Sequence, residues 1–230
     1  MADHTTAHAG PSHLAHHFND LTQQREAAEL GMWLFLATEF MFFGGLFLAY
    51  LVYRREYSDE FAAGSHTMDV LLGTINTGVL LTSSLTMALS VRAAHSSHRR
   101  LLVGLLLATA VLGCVFLGIK AYEYHHKFED GLIPFLGNTF RYTGPERPGM
   151  MAYFNLYFVM TGVHAFHMIL GIAMLGVLAA RAARGDFMGD RSIVVHNVGL
   201  YWHFVDLVWV YLFPFFYLVA ARGSGVGGHP

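Results

Sequence analysis

Five stretches of the chain carry almost no charge: residues 30–52, 70–91, 101–119, 150–180 and 193–221. Each is long enough for the roughly 20 residues that carry an α-helix across the hydrocarbon core of a bilayer. Their apolar residues run continuously, whereas a membrane barrel needs strands of roughly 10 alternating residues. The pattern predicts an all-α integral membrane protein, a bundle of five transmembrane helices at about residues 30–53, 69–91, 101–124, 150–180 and 193–221. The second run differs from the others, with Thr74, Asn76, Thr77, Thr82, Ser83, Ser84 and Thr86 along it. That content suits a helix packed on other helices through small polar residues better than one facing lipid.

Residues 1–29 are polar and include His4, His8, His13, His16 and His17. They lack the basic, apolar and small-residue blocks of a cleaved signal peptide, and read as a solvated, disordered tail. Residues 222–230 form a Gly-rich tail. Between His125 and Gly149, Pro134, Pro145 and Pro148 with the apolar residues around Leu132 predict a structured loop along the membrane surface. Short basic loops at Arg92, Arg99 and Arg100 and at Arg181, Arg184 and Arg191 place the amino terminus in the cytoplasm and the carboxyl terminus in the periplasm.

Composition narrows the function. Of the 230 residues, 54% are hydrophobic and 13% charged, where a soluble domain carries about 25% charged residues. Mean hydropathy is +0.43. A formal net charge of -2, with scattered Lys and Arg, leaves no basic field for nucleic acid. The single cysteine, Cys114, rules out a disulfide, a CxxC pair or a thiolate cluster within the chain.

A charged side chain inside a spanning helix costs about 2.5 to 3.5 kcal/mol on insertion scales, so each one calls for a reason. Glu39 lies within Trp33-Leu34-Phe35-Leu36-Ala37-Thr38-Glu39-Phe40, with no Lys or Arg within a turn. Hydrocarbon favours its neutral acid form unless a partner or water reaches it. Two roles stay open for it: a hydrogen bond across helices, or a proton-linked or lipid-linked site. Lys120, Glu123 and Lys127 share one helical face and predict an interfacial ion pair with snorkelling side chains. His164 and His167 stand at i, i+3, and without a carboxylate or cysteine nearby they favour hydrogen bonds between helices over a metal or haem site. His203 and Asp206, again i, i+3, predict a buried imidazole–carboxylate pair beside Trp202, Trp209 and Tyr211. No catalytic residue and no metal site is expected.

Four segments taken together resemble subunit III of the haem-copper cytochrome c oxidases: Gly31-Met32-Trp33-Leu34-Phe35-Leu36-Ala37-Thr38-Glu39, Lys120-Ala121-Tyr122-Glu123-Tyr124, Gly162-Val163-His164-Ala165-Phe166-His167-Met168-Ile169-Leu170-Gly171, and Gly199-Leu200-Tyr201-Trp202-His203-Phe204-Val205-Asp206-Leu207-Val208-Trp209. The resemblance covers about residues 26–221, and the chain looks like the shorter five-helix bacterial form, without the two further amino-terminal helices of the longer members. It implies a subunit of the bacterial plasma membrane that carries no redox centre of its own and docks on oxidase subunits I and II, where haem a and copper reside. It also implies a bound phospholipid, a contribution to proton uptake, and possible membership of a larger respiratory supercomplex. By the same resemblance Glu39 lies beside the lipid cleft, and Glu123, His164, His167, His203 and Asp206 form the polar interior. Two relatives on the same scaffold stay open: subunit III of a quinol oxidase and the accessory subunit of nitric oxide reductases. From another class, a small proton-coupled transporter would use Glu39, His203 and Asp206 as a relay.

Overall fold

The computed structural model describes residues 20–96, 98–133, 147–187 and 192–219. Among these residues there are six helices: α1 (Leu21–Glu56), α2 (Ser58–His66), α3 (Val70–His95), α4 (Arg99–Glu129), α5 (Arg147–Arg184) and α6 (Ser192–Tyr217). All but the nine-residue α2 are long and apolar enough to cross a membrane. The five predicted spans are therefore present, with different ends.

The largest change is at the amino end, where residues expected in a disordered tail belong to α1. Asp20 caps that helix by accepting from the Gln23 amide at 2.7 Å, and Glu26, Ala27, Ala28 and Glu29 are residues that keep a helix going. The five tail histidines and Pro134 and Pro145 of the expected surface loop lie outside the described residues, as does the Gly-rich carboxyl tail. Helix α2, in the first loop, has no counterpart among the predicted spans because it is too short and too polar to signal one.

Helix ends follow local rules. Asp69 caps α3 by accepting from the Leu72 amide at 2.9 Å. After α4, Gly131 takes a positive φ of 68°. This lets the Gly131 and Leu132 amides turn back onto the Phe128 and Lys127 carbonyls at 3.0 and 3.1 Å, and so closes the last turn.

Helices α3, α4, α5 and α6 pack as a four-helix group, α2 leans on α5, and α1 lies outside against α5 and α6. Helix α3 turns part of its polar surface into the group and leaves Leu71, Leu81 and Leu85 exposed on the other side, so the sequence expectation of packing through small polar residues holds for one face only. Thr86 bonds Thr109 of α4 at 2.7 Å, while Ser83 and Thr77 accept from the indole N–H groups of Trp202 and Trp209 at 3.2 and 3.0 Å. Trp202 is fully buried in a notch made by Gly113 of α4 and Gly171 of α5, where a Cβ at either position would fall 2.8 Å from its ring. Helix α1 buries only Leu36, Phe43 and Tyr50, a seven-residue spacing that marks a narrow seam. Its remaining apolar surface faces outward, with Met41 73% and Trp33 60% exposed, as a lipid-facing helix requires.

Candidate functional site

A cleft of about 660 Å³ opens between α1, α5 and α6, lined by Met32, Phe35, Glu39, Phe166, His167, Leu170, Ala173, Met174, Val177, Leu178, Arg181, Phe187, Val194, Val198 and Tyr201. Its wall is almost wholly apolar, with three ionisable heads besides Tyr201. Arg181 sits on α5 where the helix ends, bonded to Asp186 at 3.1 Å and lying 5.0 Å from the Phe187 ring. Four turns earlier on α5, His167 meets Glu39 of α1, with Nε2 to Oε2 at 3.0 Å. Their side chains are 12% and 18% exposed. The imidazole is further held by Nδ1 against the Val163 carbonyl at 2.8 Å. The hydroxyl of Tyr201 donates to the His167 carbonyl at 3.0 Å, so α1, α5 and α6 converge on this residue.

Glu39 is thus not alone, and its partner is histidine, not Lys or Arg. His164 and His167, although one turn apart, do not act together. The imidazole of His164 is 1% exposed, enclosed by the Phe116 and Trp209 rings at 5.6 and 5.4 Å, and neither of its nitrogens has a hydrogen-bond partner.

The expected interfacial ion pair is a correction of place. Lys120 and Glu123 do meet, at 3.1 Å, but both side chains are 6% exposed and lie inside the bundle. The ammonium also donates to the Tyr157 and Tyr217 hydroxyls, each at 2.9 Å, and lies 4.9 and 5.1 Å from the Tyr157 and Trp209 ring centres. Both tyrosines donate in turn to Glu123 Oε1, Tyr157 at 2.6 Å. Three helices thereby close a ring of charge-assisted bonds with every ammonium proton engaged. Snorkelling fails because these aromatic groups offer the charge a site within the protein. Lys127 does not bond Glu123; its ammonium donates to the Thr67 carbonyl and ties the end of α2 to α4.

The expected His203–Asp206 pair is not formed. His203 Nδ1 bonds Ser84 of α3 at 2.8 Å, and Asp206, 4% exposed, has no hydrogen-bond partner on either carboxyl oxygen. An i, i+3 spacing allows contact, but here the polar α3 captures the imidazole first. Glu39, His203 and Asp206 are consequently not joined by hydrogen bonds into a relay. Among the described residues no group of three or more His, Cys, Asp and Glu side chains is placed to hold a metal ion.

Several tethers escaped the sequence. Helix α6 contains Pro214 and ends inside the protein, leaving final carbonyls without helical donors. Tyr50 of α1 donates to the Phe215 carbonyl, and Tyr153 of α5 to that of Phe216 at 2.7 Å. Their hydroxyls stand in for the missing helical amides. Nothing in a local window identifies a tyrosine as the cap of a distant helix.

These features define a multi-pass helical membrane protein with an apolar cleft opening between its outlying first helix and the bundle. The sequence profile of the cytochrome c oxidase subunit III family matches residues 12–130 and 149–221, and the chain belongs to that family. It is 28% identical over 216 residues to the probable quinol oxidase subunit 3 of Staphylococcus haemolyticus, spanning 93% of this chain and 100% of that one. The protein of the same description from Staphylococcus epidermidis is 29% identical with the same coverage, and that of Staphylococcus aureus 28%. Family and fold together make it a multi-pass protein of the bacterial plasma membrane and part of an oxidoreductase complex with other oxidase subunits.

Proposed function

We propose that the chain serves as the non-redox subunit III of a haem-copper terminal oxidase, buttressing the catalytic subunit, holding phospholipid and supporting proton uptake. The observation behind the lipid role is the cleft, whose apolar length suits an acyl chain and whose Arg181 end suits an anionic headgroup. Haem a and copper belong to subunits I and II on this account, and the amino terminus is cytoplasmic, which puts Arg181 at the basic inner face.

The electron donor has two readings. The Tyr201-Trp202-His203-Phe204-Val205-Asp206 and Lys120-Ala121-Tyr122-Glu123-Tyr124 segments resemble cytochrome c oxidases. The relatives described as probable quinol oxidase subunit 3 match the chain nearly end to end and favour quinol. Purifying the complex in mild detergent and offering it reduced cytochrome c or a quinol decides between them. The same preparation tests the lipid role. Native mass spectrometry is expected to find phospholipid on the subunit, and Arg181→Gln to lower its retention several-fold; equal retention in both would remove the cleft as the lipid site.

A further inference from the structure

We infer that the inner end of the cleft binds a lipid-soluble quinol, with the ring among Phe35, Phe166 and Tyr201 and one hydroxyl donating to the Glu39 carboxyl oxygen that His167 leaves free. This goes beyond phospholipid at the Arg181 end and stands whether or not that end is occupied. His167 Nε2 takes only one of the two carboxyl oxygens, Oε2, at 3.0 Å. Oε1 has no donor among the described residues and is open to the cleft that Glu39 lines. The hydroxyls around it are committed elsewhere. Thr38, next in the chain, donates to the Phe35 carbonyl at 2.6 Å, and Tyr201, across the cleft, donates to that of His167 at 3.0 Å. An acceptor left open on an otherwise apolar wall calls for a donor from outside the chain, and hydrocarbon offers none.

Depth narrows what that donor is. Glu39 lies nine residues into the apolar run that begins at Leu30. At 1.5 Å per residue this is about 14 Å, close to the middle of a hydrocarbon core about 30 Å thick. Arg181 follows His167 by 14 residues on α5, roughly 20 Å along the helix. A phospholipid with its phosphate at Arg181 therefore passes Glu39 with an acyl chain, which has no O–H or N–H to give. Fatty acids and alcohols likewise keep their polar end at the headgroup level. The ligand that meets Glu39 is nearly all apolar and still carries a donor to mid-bilayer, which describes a phenolic hydroxyl on a flat ring with an isoprenoid tail.

The walls suit such a ring. Phe35 stands one turn before Glu39 on α1, and its ring lies 6.1 Å from that of Tyr201 at a tilt of 33°. Phe166 of α5 lines the same space, so the pocket beside the acceptor is bounded by aromatic groups on three helices. The whole cleft, at about 660 Å³, is of the size that holds small ligands. The tail leaves past Leu170, which is 43% exposed, into the surrounding lipid.

The test uses the full-length chain in phosphatidylcholine nanodiscs, with ubiquinol-2 kept reduced under argon as the probe and its retention measured by extraction and chromatography. Ubiquinone-2, the same ring and tail without a hydroxyl, is the control. A hydrogen bond to a largely enclosed carboxyl group is worth about tenfold, so the parent is expected to hold the quinol about tenfold more tightly than the quinone. Glu39→Leu should remove that preference, and Arg181→Gln, which tests the phospholipid end, should keep it. Farnesol, a hydroxyl on an isoprenoid chain without the ring, should fail to displace the quinol at equal concentration. Equal retention of quinol and quinone by the parent would overturn the proposal, and that comparison depends on no variant folding. A preference that survives Glu39→Leu, one that is lost in Arg181→Gln, or displacement by farnesol would each overturn it as well. Loss of phospholipid from Arg181→Gln with the quinol preference intact supports both readings, whereas phospholipid retention that ignores Arg181 sinks only the lipid role.

Discussion

Lys120 shows how a charge survives inside this bundle. Its ammonium has three hydrogen-bond partners and aromatic faces around it, and Glu123 carries the matching charge at 3.1 Å. Removing one member of such a pair strands the other, at a cost of roughly 3 to 5 kcal/mol. Lys120→Ala is therefore expected to unfold at markedly lower denaturant in detergent micelles. The double variant Lys120→Met with Glu123→Leu should lose less than either truncation alone, because no charge is left to be buried. Unfolding curves of Lys120→Ala, Glu123→Ala and the double variant check this. Strictly additive losses would mean that the two charges are not coupled. Asp206 gives a contrasting case. Asp206 is buried but makes no ion pair among the described residues, so Asp206→Asn strands no opposite charge and is expected to lose less stability than Lys120→Ala. A loss as large as that of Lys120→Ala would reveal a charge partner for Asp206.

Among the helices, close approach is set where a side chain must enter a neighbour's backbone surface. Trp202 of α6 occupies the space left by Gly113 and Gly171, and an added methyl at Gly113 would meet its ring at 2.8 Å. Gly118, on the same helix, has nothing within 4 Å of an added Cβ. Alanine normally favours a helix over glycine by about 1 kcal/mol, so Gly118→Ala is expected to hold or raise the unfolding midpoint. Gly113→Ala should lower stability by about 1 to 3 kcal/mol through overpacking. Thermal unfolding of the pair measures the difference; equal behaviour would mean that Trp202 can move aside without loss. The sequence points to α3 as a helix packed on others through its hydroxyls; Ser83, Thr77 and Thr86 do meet neighbouring helices, whereas Thr74 and Thr82 are exposed and bond only their own backbone. It also joins His203 to Asp206 on α6, and that fails because Ser84 of α3 takes the imidazole.

For the molecule as a whole, burial is uneven. Helix α6 is buried along half of its most apolar window, whereas α1 is buried along 17% of its own. Regions with few buried apolar contacts open at lower free energy than the core. Hydrogen exchange in detergent is therefore expected to show the amides of α1 exchanging well before those of α6. Uniform protection across the helices would mean that α1 is held as firmly as the bundle. In the assembled complex, slower exchange confined to α1 would mark that helix as the one a neighbouring chain or lipid supports.

The number of spanning helices and their class were legible in the sequence because the bilayer imposes a local rule, a minimum apolar length that any window reveals. The packing of α3 was legible only in part: Ser83, Thr77 and Thr86 meet neighbouring helices as small polar residues do, while its leucines face outward. The partners of the buried groups were not legible. Glu39 and His167 are 128 positions apart, His203 and Ser84 119, and Tyr50 and the carbonyl it caps 165. Spacing within one helix tells which side chains share a face, as it did for Lys120 and Glu123. Which face meets which neighbour depends on how helices settle against one another, around Trp202 in its notch and along the narrow seam of α1. Packing therefore decided that Glu39 has a partner, that His164 is enclosed apart from His167, and that the Lys120–Glu123 pair lies within the protein and not at its surface.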